Sequence, residues 1–294
     1  MPTQDHAVTN TLYEDAEIYD ILHAPGTSKD VRGLARIENL YSKAPRTLAW
    51  LEPACGSARY LLAAASTDIA GEGGRKVIGF DLASGMIDYA KARFKQTGVS
   101  RKASLFVGDM ADFATFVKPD SVSLAFNLIN SIRHLDTDAA LASHFRDIAS
   151  VLHKGGVYAV GISLSEYGLE SPTEDVWQGK RGPTRVHQVV QFEPPTAPSK
   201  SRSKAARVER VFSHLTITRG KDLSTRTATY GLRCYDLDQW RAAIDRSPLR
   251  ELATCDERGT RLPPACPGYT IFVLGRKDGL HAPEAPPGPW KPKR

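Results

Sequence analysis

Short apolar runs alternate with amphipathic stretches between residues 47 and 165. The strand-like runs fall at residues 48–51, 77–80, 103–107, 122–127 and 157–164. Apolar positions at helical spacing occupy the intervals, at residues 59–65, 84–96, 112–117 and 137–152. Regular alternation of strands and helices predicts an α/β fold built on a parallel, doubly wound sheet.

The pattern differs on both sides of this core. Helical spacing at residues 13–22 and 31–43 predicts two helices before the first strand. After residue 165, strand-like runs follow one another without a helix, at residues 185–192, 207–218 and 225–234. They predict an antiparallel sheet inserted after the fifth strand, acting as a lid or as a dimerisation surface, so a homodimer is expected. A helix at 237–246 and strands at 249–257 and 269–276 then complete the core.

These changes divide the chain into five predicted parts. They are N-terminal helices that cover the site, a ligand-binding core, the inserted antiparallel β subdomain, the closing helix and strands, and a disordered tail, at residues 1–46, 47–165, 166–235, 236–278 and 279–294. The Pro/Ser/Lys-rich stretch 193–205 inside the insertion is predicted to be a mobile loop.

Charge and cysteine usage narrow the class of protein. The net charge of +6 resides in two segments, 199–210 and 281–294, which makes nucleic acid an unlikely partner for the near-neutral core. The four cysteines are scattered and form no CxxC pair, so no metal site is predicted and a reduced, cytoplasmic setting is expected. No apolar run approaches the roughly 18 residues of a membrane span, and the N-terminus lacks signal-peptide features.

Polar residues stand where the predicted strands end. Glu52, Asp81, Asp109 and Asn127 follow four consecutive strands. Ligands of doubly wound sheets bind beyond the carboxyl ends of the strands, so these side chains should face one crevice. The turn after the first strand contains only Gly56, with alanines at positions 54 and 58, and it fits neither the dinucleotide fingerprint nor the Walker pattern.

The strand-end residues suit an adenosine that carries no pyrophosphate. The carboxylate of Asp81 can accept hydrogen bonds from both ribose hydroxyls, and that of Asp109 from an exocyclic adenine amine. Met110 and Met86 could cover the two faces of the ring. Glu52 would repel phosphate and favour a cationic amino group.

With these motifs in place, the sequence resembles the class I S-adenosylmethionine-dependent methyltransferases. Residues 52–59, EPACGSAR, resemble the first motif of that family, and 77–81, 108–110 and 152–156 resemble its ribose, adenine and post-helix motifs in order. The resemblance implies a Rossmann-like methyltransferase sheet and S-adenosyl-L-methionine as cofactor. It covers about residues 13–165 and 235–276.

A narrower resemblance concerns the segment after the fourth strand. Residues 128–135, LINSIRHL, look like the NSxxHL segment of small-molecule N-methyltransferases, of the glycine or nucleotide-sugar kind. It implies Leu128 and His134 beside the cofactor and Asn130 beside the substrate. Arg32 falls near the family's clamp on the cofactor carboxylate. The basic residue of glycine N-methyltransferases after the fifth strand is missing, which argues against glycine as substrate.

The predicted site combines these residues. The catalytic candidates, which include the possible bases, are His134, Asn130 and Tyr167. The predicted cofactor-binding residues are Tyr19, Arg32, Glu52, Ala54, Gly56, Asp81, Leu82, Met86, Asp109, Met110, Asn127 and Leu128. The predicted substrate-binding residues are Tyr13, Trp177, Arg181 and Arg185.

The function predicted from the sequence is methyl transfer to a small molecule by in-line displacement, with an amine as the expected acceptor. Three alternatives stay open: an RNA or protein methyltransferase using the basic loop 199–210, a small-molecule O- or S-methyltransferase, and a cofactor-binding scaffold without turnover.

Overall fold

A computed structural model of the protein describes residues 15–68, 73–195, 207–263 and 268–281. Two helices come first, α1 (Ala16–His23) and α2 (Thr27–Tyr41). The side chain of Asp15 caps α1 by accepting a hydrogen bond from the Ile18 amide at 3.2 Å. The predicted tail end at residues 282–294, most of the loop 193–205, and Tyr13 lie outside the described residues.

The core follows the predicted order of strands and helices. Its elements are β1 (Ala49–Pro53), α3 (Arg59–Ser66), β2 (Val77–Asp81), α4 (Ser84–Gln96), β3 (Ala103–Val107), β4 (Val122–Asn127), α5 (Asp138–Val151) and β5 (Leu152–Ser163). The stretch predicted as a short helix at 112–117 forms only a 3-10 turn, Ala114–Phe116. The carboxylate of Asp147 accepts the amide hydrogens of Phe113 and Ala114 there, which fixes the turn against α5.

Four strands form the insertion, one more than the sequence predicted. They are β6 (Thr173–Arg181), β7 (Thr184–Glu193), β8 (Val208–Arg219) and β9 (Asp222–Arg233), in one antiparallel sheet of that order. Strand β6 was missed because it lies at the edge of the sheet and is largely exposed and polar, so no alternation of apolar positions marks it. The chain returns to the core with α6 (Leu237–Asp245), β10 (Leu249–Cys255) and β11 (Tyr269–Arg276).

The large sheet has the order β10-β11-β5-β4-β1-β2-β3. Its first five strands in sequence are parallel, and β11 is antiparallel to both of its neighbours. Apolar side chains of α2, α3 and α4 pack on one face, and those of α5 and α6 pack on the other. Because both faces are covered, β1 and β4 are buried at every position. The predicted fold class is confirmed.

Helix α1 joins the inserted sheet to the core. Its apolar residues Ile18, Ile21 and Leu22 pack on Val186, Leu215 and Ile217 of the inserted sheet. Its opposite side places the fully buried Asp20 against the core.

The Asp20 carboxylate bonds to three other parts of the fold. It accepts from the Ser57 hydroxyl at 2.9 Å, from Arg93 of α4 at 2.6 Å and from Tyr89 at 3.3 Å. It also pairs with Arg181 at the end of β6. This carboxylate therefore fastens α1 to the cofactor turn, to α4 and to the inserted sheet.

The start of the predicted tail differs from expectation. His281 is buried, and its ring nitrogen Nε2 lies 2.9 Å from the carbonyl oxygen of Tyr41. The Leu280 carbonyl accepts a hydrogen bond from Lys43 at 3.0 Å. Residues 279–281 therefore pack against the end of α2. Among the described helices, none is both long and apolar enough to cross a membrane.

The Asp20 junction yields a stability prediction. Asp20→Ala is expected to lower the free energy of unfolding by about 3 kcal/mol, because it leaves the buried Ser57 hydroxyl and the partly exposed Arg93 and Arg181 without their acceptor. Urea denaturation followed by circular dichroism measures this change.

The matched control is Glu17→Ala on the same helix. Glu17 lies 3.8 Å from Arg219 and both side chains are about half exposed, so its loss should cost less than about 0.5 kcal/mol. Equal effects of the two substitutions would contradict the role given to Asp20.

Candidate cofactor and acceptor site

A cavity of about 580 Å³ lies between the carboxyl ends of the parallel strands and the inserted sheet. It contains most of the residues that the sequence predicted to meet there. The predicted residues that line it are Tyr19, Glu52, Ala54, Gly56, Asp81, Leu82, Asp109, Met110, Leu128, Asn130, His134 and Trp177.

The turn after β1 has an unusual backbone. Ala54, Gly56 and Ala58 have φ angles of 53°, 52° and 53°, in the left-handed region. Two alanines adopt a conformation that favours glycine, at a cost of about 1 kcal/mol or more for each. At Gly56 a side chain would be crowded as well, because an added Cβ would lie 3.2 Å from the Tyr19 ring. The turn thus keeps the left-handed backbone conformation typical of glycine, although only one of the three residues is a glycine.

The Asp81 carboxylate is fixed by two backbone amides. It accepts hydrogen bonds from Gly56 at 2.8 Å and from Ala83 at 2.9 Å. Burial raises the pKa of Asp81 above its ordinary value, and these two hydrogen bonds oppose the rise. The amides hold the carboxylate at the wall of the cavity, where it can accept further hydrogen bonds.

Glu52 lies deeper in the same wall. It is 6% exposed, and its Oε2 atom is buried without a hydrogen-bond partner among the described residues. Burial raises the pKa of Glu52 well above its ordinary value; the nearby Arg59 lowers it and Asp81 raises it further. A cationic group of a ligand would supply the missing partner and favour ionisation.

The adenine-side residues divide into two groups. Asp109 and Met110 line the cavity, and the Asp109 carboxylate accepts from the Ala111 amide at 2.8 Å. Met86 and Asn127 are almost fully buried and do not line it. Asn127 is placed below the site, where its amide donates to the Pro53 carbonyl at 2.6 Å.

The loop after β4 carries backbone strain. Ile129 and Asn130 have φ angles of 51° and 61°, and the branched side chain of isoleucine makes this rare. The Tyr269 hydroxyl accepts from the Ile129 amide at 2.9 Å. The Asn130 side chain accepts from the Ser163 amide at 2.7 Å and donates to its hydroxyl at 3.1 Å. Asn130 therefore anchors this loop to the end of β5.

His134 follows in a 3-10 turn and faces the cavity. Its ring stacks on Tyr230 of β9, with 5.9 Å between the ring centroids and 26° between the planes. Its ring is accessible from the cavity, yet surrounding protein atoms and the adjacent Arg133 guanidinium lower its pKa. The imidazole is consequently neutral at physiological pH.

Several predicted residues lie elsewhere. Arg32 is exposed on α2, and Arg185 is exposed on β7; neither lines the cavity. Arg181 bonds to Asp20 and, at 2.7 Å, to Tyr89. The Tyr167 hydroxyl donates to Gln239 at 3.1 Å, also away from the cavity lining.

Other lining residues were not predicted. The clearest are Arg59, His23, Asp136, Asp175, Gln188 and Tyr230. Arg59 directly follows the small-residue turn, which was the available signal in the sequence. Asp175 lies on the edge strand β6, which the sequence pattern did not reveal. Gln188 and Tyr230 lie on predicted strands, and strand alternation turns them toward the cavity.

Comparison with known proteins agrees with this geometry. A family model described as a methyltransferase domain matches residues 51–156. That match includes β1 through the start of β5, where the cofactor-side residues are found. By this match residues 51–156 form a methyltransferase domain, and their motifs and site geometry are those of the class I, S-adenosylmethionine-dependent kind, with S-adenosyl-L-methionine as methyl donor. No curated protein matches the chain in sequence.

Solved structures share the whole fold at low sequence identity. DesVI of Streptomyces venezuelae is 21% identical, with a TM-score of 0.66 over 89% of this chain and 98% of its own. The sugar N-methyltransferase KedS8 of a Streptoalloteichus species is 18% identical, with a TM-score of 0.65 over 94% and 98%. The amino pentose methyltransferase CalS10 of Micromonospora echinaspora, involved in calicheamicin biosynthesis, is 16% identical, with a TM-score of 0.61 over 92% and 99%.

The residues present fit S-adenosylmethionine. Its amino group is a cation, for which the buried Glu52 Oε2 atom lacks a partner. Its ribose hydroxyls suit the Asp81 carboxylate, and its adenine suits Asp109 and Met110. The described residues contain no cluster of side chains suited to a metal ion.

Asp81 gives a test of the cofactor side. Asp81→Ala should weaken binding of S-adenosylhomocysteine by about 100-fold, because two charge-assisted hydrogen bonds are lost. Calorimetric titration measures the dissociation constant. The control Asp88→Ala removes an exposed aspartate of α4 and should leave binding unchanged; an unaltered affinity of Asp81→Ala would contradict the assignment.

Glu52 gives a test that combines stability and binding. Because its pKa in the folded protein is raised above the ordinary 4.5, the ligand-free protein should lose stability as pH rises from that value through the raised pKa. Glu52→Gln removes the ionisable group and should raise the melting temperature of the ligand-free protein at neutral pH.

Glu52→Gln should also weaken the binding of S-adenosylhomocysteine by about 10-fold or more, since the neutral glutamine amide cannot form an ion pair with the ammonium group of the ligand. Scanning calorimetry with and without ligand measures both effects. A lower melting temperature for ligand-free Glu52→Gln would show that the ionised carboxylate stabilises the fold, against this account.

Proposed function

We propose that this methyltransferase acts on an amine of a small molecule. The observation that carries the proposal is the second half of the cavity, beyond the cofactor-side residues. The loop after β4 and the inserted sheet line it with His134, Asp175, Trp177, Gln188 and Tyr230. A concave cavity of about 580 Å³ accommodates a compact acceptor better than a folded macromolecule. The sugar-amine methyltransferases with the same fold support this choice.

The protein's part in the reaction is mainly alignment. The bound cofactor supplies an already activated methyl group. The residues of the chain therefore need to hold the acceptor lone pair in line with it and to exclude water. Helix α1 covers the cofactor turn through Tyr19, and the inserted sheet closes the opposite side.

An acceptor that binds as an ammonium ion must first lose a proton, because only the neutral amine has a free lone pair for attack on the methyl group. His134 is our candidate for the residue that contacts the amine, because it lines the cavity beside the loop that follows β4. Its lowered pKa keeps the imidazole neutral, so it can accept a hydrogen bond from an ammonium group. Asn130 would then act as a positioning residue through Ser163. Tyr167, predicted as a base, is a weaker candidate because it bonds to Gln239.

Nucleic-acid or protein methylation receives less support from the described part of the basic segment. Arg207 pairs with Asp138 at 3.2 Å and lies 4.7 Å from the Tyr235 ring centroid. Arg210 pairs with Glu193 at 2.5 Å. Both guanidinium groups are thus engaged within the chain. We retain the homodimer and the cytoplasmic location as predictions from the sequence.

An acceptor screen tests the proposed function. Purified protein would be incubated with methyl-labelled S-adenosylmethionine and matched acceptors: amino sugars, their hydroxyl and thiol counterparts, amino acids, RNA and protein. Mass spectrometry should detect methylated products of amino sugars or related small amines. It should detect no methylated product of the matched alcohols.

Other outcomes have defined meanings. Methylation of the alcohol or thiol alone would favour an O- or S-methyltransferase. RNA methylation that weakens steeply with salt would favour the basic loop as a binding surface. Cofactor binding without any product would favour a scaffold. The Asp81→Ala protein serves as the control without cofactor-dependent turnover.

A further inference from the structure

The acceptor side of the cavity is acidic, although the protein as a whole is basic. Asp175 of β6 and Asp136, two positions after His134, line this side. Among the described residues that line the cavity, the single lysine or arginine is Arg59, which follows the cofactor turn at the start of α3. Since the whole chain carries a net charge of +6, the acidity is a property of this cavity and not of the overall composition.

Asp175 belongs to the inward face of its strand. Two positions later, Trp177 lines the cavity, and its ring centroid lies 4.7 Å from that of His23 in α1. Gly179 follows on the same face, where an added Cβ would meet the backbone of Ile21. Because alternate residues of a strand point the same way, Asp175 faces the cavity together with Trp177. Its carboxylate forms no hydrogen bond or ion pair with the described residues.

A second hydrogen-bond acceptor without a donor lies beside Asp175. In the sheet register Asp175 is opposite Val190, and Trp177 is opposite Gln188. Gln188 lines the cavity and is only 2% exposed. Its side-chain nitrogen donates to the Ser213 hydroxyl at 2.8 Å, and its side-chain oxygen accepts no hydrogen bond from the described residues. Such an oxygen in a cavity wall favours a ligand that supplies a donor.

Arginines on the neighbouring elements are neutralised within the chain. Arg133, in the 3-10 turn that contains His134, pairs with Glu209 at 2.8 Å. Arg233, at the end of β9, pairs with Asp138 at 2.9 Å. Neither arginine lines the cavity. A phosphate group on the acceptor would therefore meet carboxylates here without a free guanidinium from these elements, and contact between like charges is unfavourable.

We propose that the acceptor is an amine without phosphate groups, which enters the cavity as a cation and binds to Asp175, Asp136 and Gln188. This inference rests on the proposed function, because it specifies which amines react. A cleft lined by one sign of charge raises the local concentration of ions of the opposite sign. Carboxylates also form strong, charge-assisted hydrogen bonds with ammonium groups. The same carboxylates would repel an amino sugar that is linked to a nucleotide.

The test compares amino sugars in two matched forms, the methyl glycoside and the nucleoside-diphosphate-linked sugar. Each form is supplied with the amino group at C2, C3 or C4, and steady-state kinetics are measured with S-adenosylmethionine. The wild-type protein should show a kcat/KM at least about 10-fold higher for the methyl glycosides. This advantage should shrink as the salt concentration rises from about 50 mM to about 500 mM, because salt screens the repulsion.

Variants of Asp175 locate the source of the preference. Asp175→Asn should raise KM for the methyl glycoside by about 5- to 10-fold with little change in kcat, because it removes a charge that contacts the acceptor but leaves His134 in place. Asp175→Lys should reduce the ratio of kcat/KM between the two forms by about 10-fold or more. Both variants should bind S-adenosylhomocysteine in calorimetric titration as the wild-type protein does.

The matched control is Glu174→Gln. Glu174 is the preceding residue of β6 and faces outward, where its carboxylate accepts from Gln191 at 3.0 Å. It does not line the cavity, so this variant should react with both forms like the wild-type protein.

Three outcomes would contradict the proposal. An equal or higher kcat/KM of the wild-type protein for the nucleotide-linked sugars would overturn it. Equal effects of Asp175→Asn and Glu174→Gln on KM would overturn it as well, since the acidic wall would then not contact the acceptor. If S-adenosylhomocysteine binds but no amine of either form is methylated, the proposed function itself fails, and this inference fails with it.

Discussion

The cofactor site depends on a buried series of hydrogen-bonded polar side chains beneath the strand ends. The Met110 carbonyl lies 2.7 Å from Nδ1 of His144, and Nε2 of that ring lies 2.9 Å from the Tyr158 hydroxyl. Tyr158 donates to Asn127 at 2.8 Å, and Asn127 donates to the Pro53 carbonyl at 2.6 Å. The three side chains are almost fully buried, so the loss of any one would leave its neighbours without partners. This series of hydrogen bonds links the ends of β1 and β4 and the middle of β5 to the segment after β3.

This arrangement explains which parts of the site were predictable from sequence. Parallel strands bring their carboxyl ends to one edge, so Glu52, Asp81 and Asp109 could be placed in one crevice from their positions in the chain alone. Asn127 obeys the same rule, but its side chain points beneath the crevice rather than into it. The position of a residue at the end of a strand predicts that it lies at this edge of the sheet. The packing around it determines whether its side chain points into the crevice or away from it.

The residues that sequence reasoning missed depend on contacts between distant segments. Asp175 belongs to an edge strand whose exposed polar residues give no periodic signal. The position of Arg32 near a family motif suggested a carboxylate clamp, yet the rotation of α2 about its axis leaves that residue exposed. Rotation is set by which apolar residues pack, here Val31, Leu34 and Ile37, and neighbouring positions on a helix point about 100° apart.

The two sides of the cavity have different structural origins. The cofactor side is built from strand ends that the core holds rigidly, whereas the acceptor side comes largely from the inserted sheet. Helix α1 is bound to that sheet by apolar packing and by the Asp20–Arg181 ion pair. It is bound to the core by further hydrogen bonds of the Asp20 carboxylate and by Tyr19 beside Gly56. Residues facing the acceptor can therefore change without disturbing the cofactor residues. Proteins sharing 16–21% of their sequence with this chain keep the fold over most of their length, as such a division of the cavity allows.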